Sequence, residues 1–137
     1  MAPYGDRIQY LTLELRNFIA DLVPQANELI WDNYIAVAIA YVKSGKLKDA
    51  FCHIAIYSKY VPFGFNRGAE LTSGTLKLNR KGKLIRHISI KDIKSFPMNE
   101  ISILISEAVE LSDKHNSELW NKHTQGKSKI MSISEKN

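Results

Sequence analysis

The apolar residues of this chain change their spacing at Trp31, and that change restricts the fold more than any other feature. Before it, Ile8, Leu11, Leu15, Phe18, Ile19 and Leu22 recur at steps of three and four, the spacing of one helical face. The stripe predicts a helix of about fourteen residues. Asp6 is expected as its N-cap, and Pro24 as its stop, because the residue before a proline avoids helical geometry. A short second helix is expected from Pro24 to Ile30, with the proline near its first position, where no N–H is needed. After Trp31, Ile35, Val37, Ile39 and Tyr41 alternate with smaller residues, the two-residue period of a strand.

The strand pattern then repeats over short connections. A turn at "KSGKLKD" leads to "AFCHIAIY", apolar on both faces and suited to a central strand. The stretch "KYVPFGFNRGAEL" follows as another strand, and "NRKGK" turns the chain into "LIRHISI". No strand–helix–strand unit of adequate length separates them, so antiparallel hairpins are expected. A last helix begins near Pro97 to Glu100, with Ile101, Leu104, Ile105, Ala108 and Leu111 or Ser112 as its buried stripe. The predicted fold is α+β: a single antiparallel sheet of about four to six strands, packed against N-terminal helices and a C-terminal helix. Residues 1–124 form one domain in this reading, and 125–137 a polar, disordered tail.

A chain of 137 residues is long enough to bury a core without disulfide or metal staples. Its single cysteine, Cys52, excludes an internal disulfide framework and fits a reducing cytoplasm. The longest apolar run, Tyr34 to Val42, is too short to span a bilayer, and no secretory signal pattern is present. Charge is uneven within a net +5: Met1 to Asp32 holds two basic and five acidic residues, a local −3. Lys77 to Lys94 holds seven basic residues against Asp92 alone. That block reads as an edge strand kept soluble by lysine. Binding of nucleic acid there is the alternative, disfavoured because few aromatics interleave with the lysines.

Catalytic patterns are missing from the sequence. His53, His87, His115 and His123 show no ligand spacing with one another or with Cys52. Cys52 and His53 fall on opposite faces of one strand, which suits a core thiol and a hydrogen-bonded histidine. There is no phosphate-binding glycine loop and no serine elbow. An enzyme is therefore not expected, nor a cofactor or a resident metal. Glu14, Asp21 and Glu28 are spaced by seven, but Pro24 interrupts any helical stripe they would form.

In "KYVPFGFNRGAEL", Val61, Phe63, Phe65 and Arg67 face one way, and Tyr60, Pro62, Gly64 and Asn66 the other. Gly64 in mid-strand marks a close approach of a backbone or a ligand. Gly68 is free to take positive φ in the turn, and Glu70 has Arg67 or Arg86 as its partner. A binding corner and a plain strand, bulge and turn salt bridge both remain open.

"YVPFGFNRGAEL", followed by "GKLIRHISI" and the helix "ISILISEAVEL", resembles the YdhG-like family, a bacterial domain of unknown function. Its members carry an "H-V-x-L-G-F-x-R-G-A-E-L" type segment, a "K-x-x-R-H" strand and a terminal helix. Gly64, Phe65, Arg67, Gly68, Ala69, Glu70, Leu71, Arg86 and His87 match that pattern, and the resemblance covers roughly Asp6 to Ser112. The chain departs from it at Tyr60, where the family often has histidine, and in "WDNYIAVAIAY", which lacks the family's glycine and proline. The resemblance implies a sheet flanked by helices. Some relatives resemble frataxin-type iron chaperones, which hold iron on acidic residues.

The expected function is that of a small cytoplasmic binding or accessory domain. Its pocket is expected where the sheet meets the first two helices, lined by Trp31, Tyr34, Gly64, Arg67, Glu70, Arg86 and His87. Arg67 and Arg86 would hold a small anionic ligand through paired N–H donors, with His87 tuning the site near neutral pH. A protein partner is the other occupant considered. Alternatives are an iron carrier using Glu14, Asp21, Glu28 and Asp32, and weak nucleic-acid binding through Lys77–Lys94. A homodimer joined at strand edges also stays open.

Overall fold

The first apolar stripe folds as helix α1, Asp6–Leu22, burying Ile8, Leu11, Thr12, Leu15 and Ile19. The structure, a computed structural model, describes residues 5–32, 37–43, 50–72, 78–81, 83–116 and 128–133. Gly5, not Asp6, stands at the N-cap and supplies no side-chain bond. Asp6 is the first helical residue, where its charge still opposes the helix dipole. Thr12 stays buried at little cost because its hydroxyl donates to Ile8 O at 2.7 Å.

The helix expected from Pro24 to Ile30 does not form. Pro24 and Gln25 make a turn, and Asn27–Asp32 is strand β1. Seven residues are too few to repay helix nucleation. As a strand they instead pair along their length with β2, Val37–Val42, from Asn27↔Val42 to Asp32↔Val37.

Four further strands follow: β3 (Cys52–Ile56), β4 (Val61–Phe65), β5 (Asn79–Lys81) and β6 (Ile85–Ile90). Helix α2, Met98–Asn116, comes next. It buries Ile101, Leu104, Ile105, Ala108 and Ser112, the stripe its spacing predicts. The chain ends its described course in β7, Ser128–Ile133.

The strands form one sheet in the order β5-β6-β4-β3-β2-β1-β7. The α+β architecture is the predicted one, with β1 to β6 antiparallel throughout. A seventh strand is added in parallel: β7 lies beside β1, in the stretch expected to be a disordered tail. Short hairpins cannot make a parallel neighbour, which needs a long crossover. Here α2 lies within that connection.

Both helices pack on one face. Ile8, Leu11, Leu15 and Ile19 of α1, and Ile101, Leu104, Ile105 and Ala108 of α2, share a core with Ile39, Tyr41, Cys52, Ile54, Ile56, Val61, Phe63 and Phe65. Phe96 joins it, 5.0 Å from Phe18 edge-on and 6.0 Å from Phe63. A second, smaller cluster of Leu29, Ala40, Val42 and Ala50 lies on the other face, with no helical residue in it. No helix among the described residues is long and apolar enough to cross a membrane.

Removing residues 125–137 is expected to lower the melting temperature by about 5 °C or more, because β1 loses its parallel neighbour. A melting curve unchanged by the truncation would show that β7 adds nothing to the fold.

Candidate functional site

Strand β4 sorts its side chains as the alternation predicts. Val61, Phe63 and Phe65 are fully buried in the helix-side core, and Gly64 faces the opposite way, paired with His53 on β3 and His87 on β6. A Cβ at Gly64 would fall 2.3 Å from His53 Nε2. The close approach is therefore the His53 ring, lying over the glycine. Its Nδ1 stands 2.8 Å from Asn66 Oδ1. His87 faces the same side, and its buried Nδ1 has no hydrogen-bond partner among the described residues.

The RGAE turn is held by its own groups. Arg67 Nε donates to both carboxylate oxygens of Glu70 at 2.9 and 3.0 Å, and Nη2 to one of them at 2.7 Å. Glu70 thus takes Arg67, not Arg86. Arg86 Nη1 donates to Ile85 O at 2.9 Å. Gly68 is buried, but its φ lies outside the left-handed region, so positive φ is not why glycine stands here. A Cβ would meet Arg86 Cβ at 2.5 Å and Arg86 N at 2.8 Å: the turn lies against the start of β6. Ala69 N donates to Leu84 O at 2.9 Å, and Thr72 N and Oγ1 donate to Glu107 of α2. The corner is clamped on three sides.

The seven expected site residues therefore do not share one pocket. Gly64, Arg67, Glu70, Arg86 and His87 gather at the β4–β6 corner, but Arg86 follows the core-side register of Ile88 and Ile90, while Gly64 and His87 face away from the helices. Trp31 lies on β1, three strands from β4, about 14 Å across the sheet. Tyr34 lies outside the described residues, as does Lys77 of the basic block. Of that block, Asn79–Lys81 does form the sheet edge.

A cavity of about 580 Å³ opens elsewhere, between α1 and the β1–β7 edge. Leu13, Arg16, Ala20 and Asp21 of α1 form its wall, and Glu28, Tyr41 and Ser128 its floor. Glu28 is directly opposite Tyr41 on β2 and Ser128 on β7, so three strands aim one group each at the same point. Arg16 Nε and Nη2 donate to the Glu28 carboxylate at 2.9 and 2.7 Å, Tyr41 Oη at 2.7 Å and Ser128 Oγ at 2.5 Å. Each carboxylate oxygen accepts two bonds.

Burial works to raise the Glu28 pKa, but the bonds from Arg16, Ser128 and Tyr41 outweigh it, and the net shift is downward. The same contact raises Arg16. Tyr41 is pushed well up, first by burial and then by the Glu28 charge. None of the expected residues that are described lines this cavity. The misread second helix hid it, since a strand reading places Glu28 and Ile30 on the α1 side. Glu14, Asp21 and Glu28 share no stripe, and no three His, Cys, Asp or Glu groups among the described residues could hold a metal ion. Cys52 is fully buried, and burial pushes its thiol pKa well up.

Gly68→Ala is expected to destabilise by about 1–3 kcal/mol, because neither Arg86 Cβ nor its backbone N can rotate away; a variant melting with wild type would refute the close packing. Glu28 has a folded-state pKa below its ordinary 4.5, so its contribution is complete above that value and is lost as pH falls through the folded value. Glu28→Gln should therefore lower stability at neutral pH and flatten the decline in melting temperature below about pH 5. Equal acid sensitivity in both proteins would count against the assignment.

No protein family, curated protein or solved structure matches the chain.

Proposed function

We propose that the chain is a small non-catalytic binding domain whose ligand sits in the cleft between α1 and the β1–β7 edge. The observation that carries this reading is the Arg16–Glu28 pair set into the wall and floor of an open cavity. Arg16 uses Nε and Nη2 on Glu28, and its Nη1 has no hydrogen bond among the described residues. That leaves one guanidinium edge for an anionic group. Glu28 neutralises much of the Arg16 charge, and Asp21 also lines the cavity, so the wall as a whole is slightly acidic. A purely anionic ligand fits poorly. A small zwitterion fits better, its carboxylate on Arg16 and its ammonium toward Asp21.

Binding is favoured over catalysis because Glu28, the central carboxylate, is held ionised by four donors. A general acid or base working near neutrality needs the opposite shift. The buried free thiol of Cys52 supports a reducing, cytoplasmic setting. The YdhG-like resemblance belongs to the same proposal, and the clamped GF-x-RGAEL corner supports reading that motif as architecture.

Titration calorimetry against the common amino acids, with simple amines and carboxylates as controls, tests the reading. A zwitterion should bind at least about tenfold tighter than either half alone, and Arg16→Gln and Asp21→Asn should each cost about tenfold. Absence of binding up to about 10 mM, or affinity indifferent to Arg16, would overturn it.

A further inference from the structure

The sheet face turned away from the helices carries a second surface, independent of the cleft. Along β3 the helix-side residues are buried, while His53 and Ala55 are partly exposed. Small residues floor this face. Trp31 pairs with Ala38, Ala38 with Ala55, and Pro62 with Ser89; continuing the β3–β4 register by one residue sets Ala55 beside Pro62. The result is a shelf four strand spacings long, about 19 Å, running from Trp31 to Ser89.

Beside the middle of the shelf, at the β3–β4 connection, stand two stacked aromatics. The Tyr57 and Tyr60 rings lie 5.3 Å apart at 16°, joined by Tyr57 N donating to Tyr60 O at 3.1 Å. Tyr60 is 39% exposed, which leaves ring surface available to a further planar group. Exposed lysines flank the connection. Lys59 lies in the connection itself, and Lys91 follows Ile90, which is paired with Val61. Arg7 donates to the carbonyls of both Lys59 and Lys91 and so fixes the corner. Of the acids nearby, Asp92 is turned to Ser95 N and Asp6 starts α1.

We propose that this face binds single-stranded nucleic acid, one base stacking on Tyr60 and its neighbours lying along the small-residue shelf, with phosphates against Lys59 and Lys91. Base–aromatic stacking beside a basic rim is the chemistry such strands require, and the protein's net charge of +5 is complementary to theirs. Lys59 lies between the two tyrosines in the sequence, whereas Lys91 is brought to the same corner by the pairing of β6 with β4. Between Trp31 and Ser89 the row is alanine and proline, a flat floor on which a planar base can lie. Duplex is disfavoured because its bases are already stacked on one another.

The test is fluorescence anisotropy of the full chain with a labelled thymidine oligomer of about twelve nucleotides, at several salt concentrations. Binding should weaken with salt. Tyr60→Ala should weaken it about tenfold while Tyr60→Phe retains it. If Tyr60→Ala fails to fold, the exposed pair Lys59→Glu and Lys91→Glu replaces it and should abolish binding. No binding at low salt, an affinity unchanged by either set of variants, equal affinity for duplex, or preference for anionic vesicles over the oligomer would each overturn the proposal.

Discussion

The two helices among the described residues cannot cover seven strands, and the open surfaces follow from that shortfall. Strands about 4.8 Å apart make this sheet about 29 Å wide, whereas two helices of about 10 Å span roughly two thirds of it. The helices take the middle, where Phe63, Phe65 and Ile54 lie at no exposure. What remains is a strip of the helix side beside α1, over β1 and β7. An apolar strip there would be a liability. The chain instead places Glu28, Arg16, Tyr41 and Ser128 at that point and satisfies the carboxylate with four donors, which keeps the strip wet and shaped. Lys43, with a side chain only 6% exposed, is handled the same way two residues beyond Tyr41, paired to Asp113 of α2 at 2.5 Å.

The two glycines of the GF-x-RG stretch serve packing in different ways. Gly64 meets the tip of an imidazole, which can rotate, so an added methyl there displaces His53 and its bond to Asn66. Gly68 meets Arg86 at its root, which cannot move without shifting β6. Reading both as a single loop motif conflates a replaceable contact with an obligatory one. Arg67 and Glu70, with side chains 43% and 31% exposed, close the turn on each other. In that position their ion pair contributes little stability, and its effect is to fix the direction in which the chain leaves β4.

The helical stripes, the β3 and β4 face assignments, the opposition of Cys52 and His53 and the α+β class were legible in the sequence, because each depends on spacing within one element. What depends on contact between elements was not. Pro24 suits the first turn of a helix as well as a stop, and seven residues around Leu29 and Ile30 carry too little periodicity to decide. With β1 misread, Glu28 was left as a separate acid beyond Pro24 instead of the partner of Arg16, Tyr41 and Ser128. The stretch Ser128–Ile133 looks like a tail on composition, since its pairing partner is β1, a hundred residues earlier in the chain. Of the expected site, the local Arg67–Glu70 pair was readable, whereas Trp31 was joined to it only by assuming a pocket that the sheet width forbids.

The uneven charge of the sequence becomes a polarity of the sheet. The acidic first thirty-two residues, with a local charge of −3, build α1 and β1 at the cleft end, while β5 and β6 carry the basic segment to the other edge. The two ends are separated by about 25 Å, well beyond the screening length of about 8 Å at physiological salt. Lys59 and Lys91 are tied to Arg7 at the start of α1, about 20 Å along the helix from Asp21, so a polyanion held there exerts little force on a ligand in the cleft. Two surfaces of opposite character can coexist on one small sheet because the strands between them, β2 to β4, are apolar on the helix side and small-residue on the other.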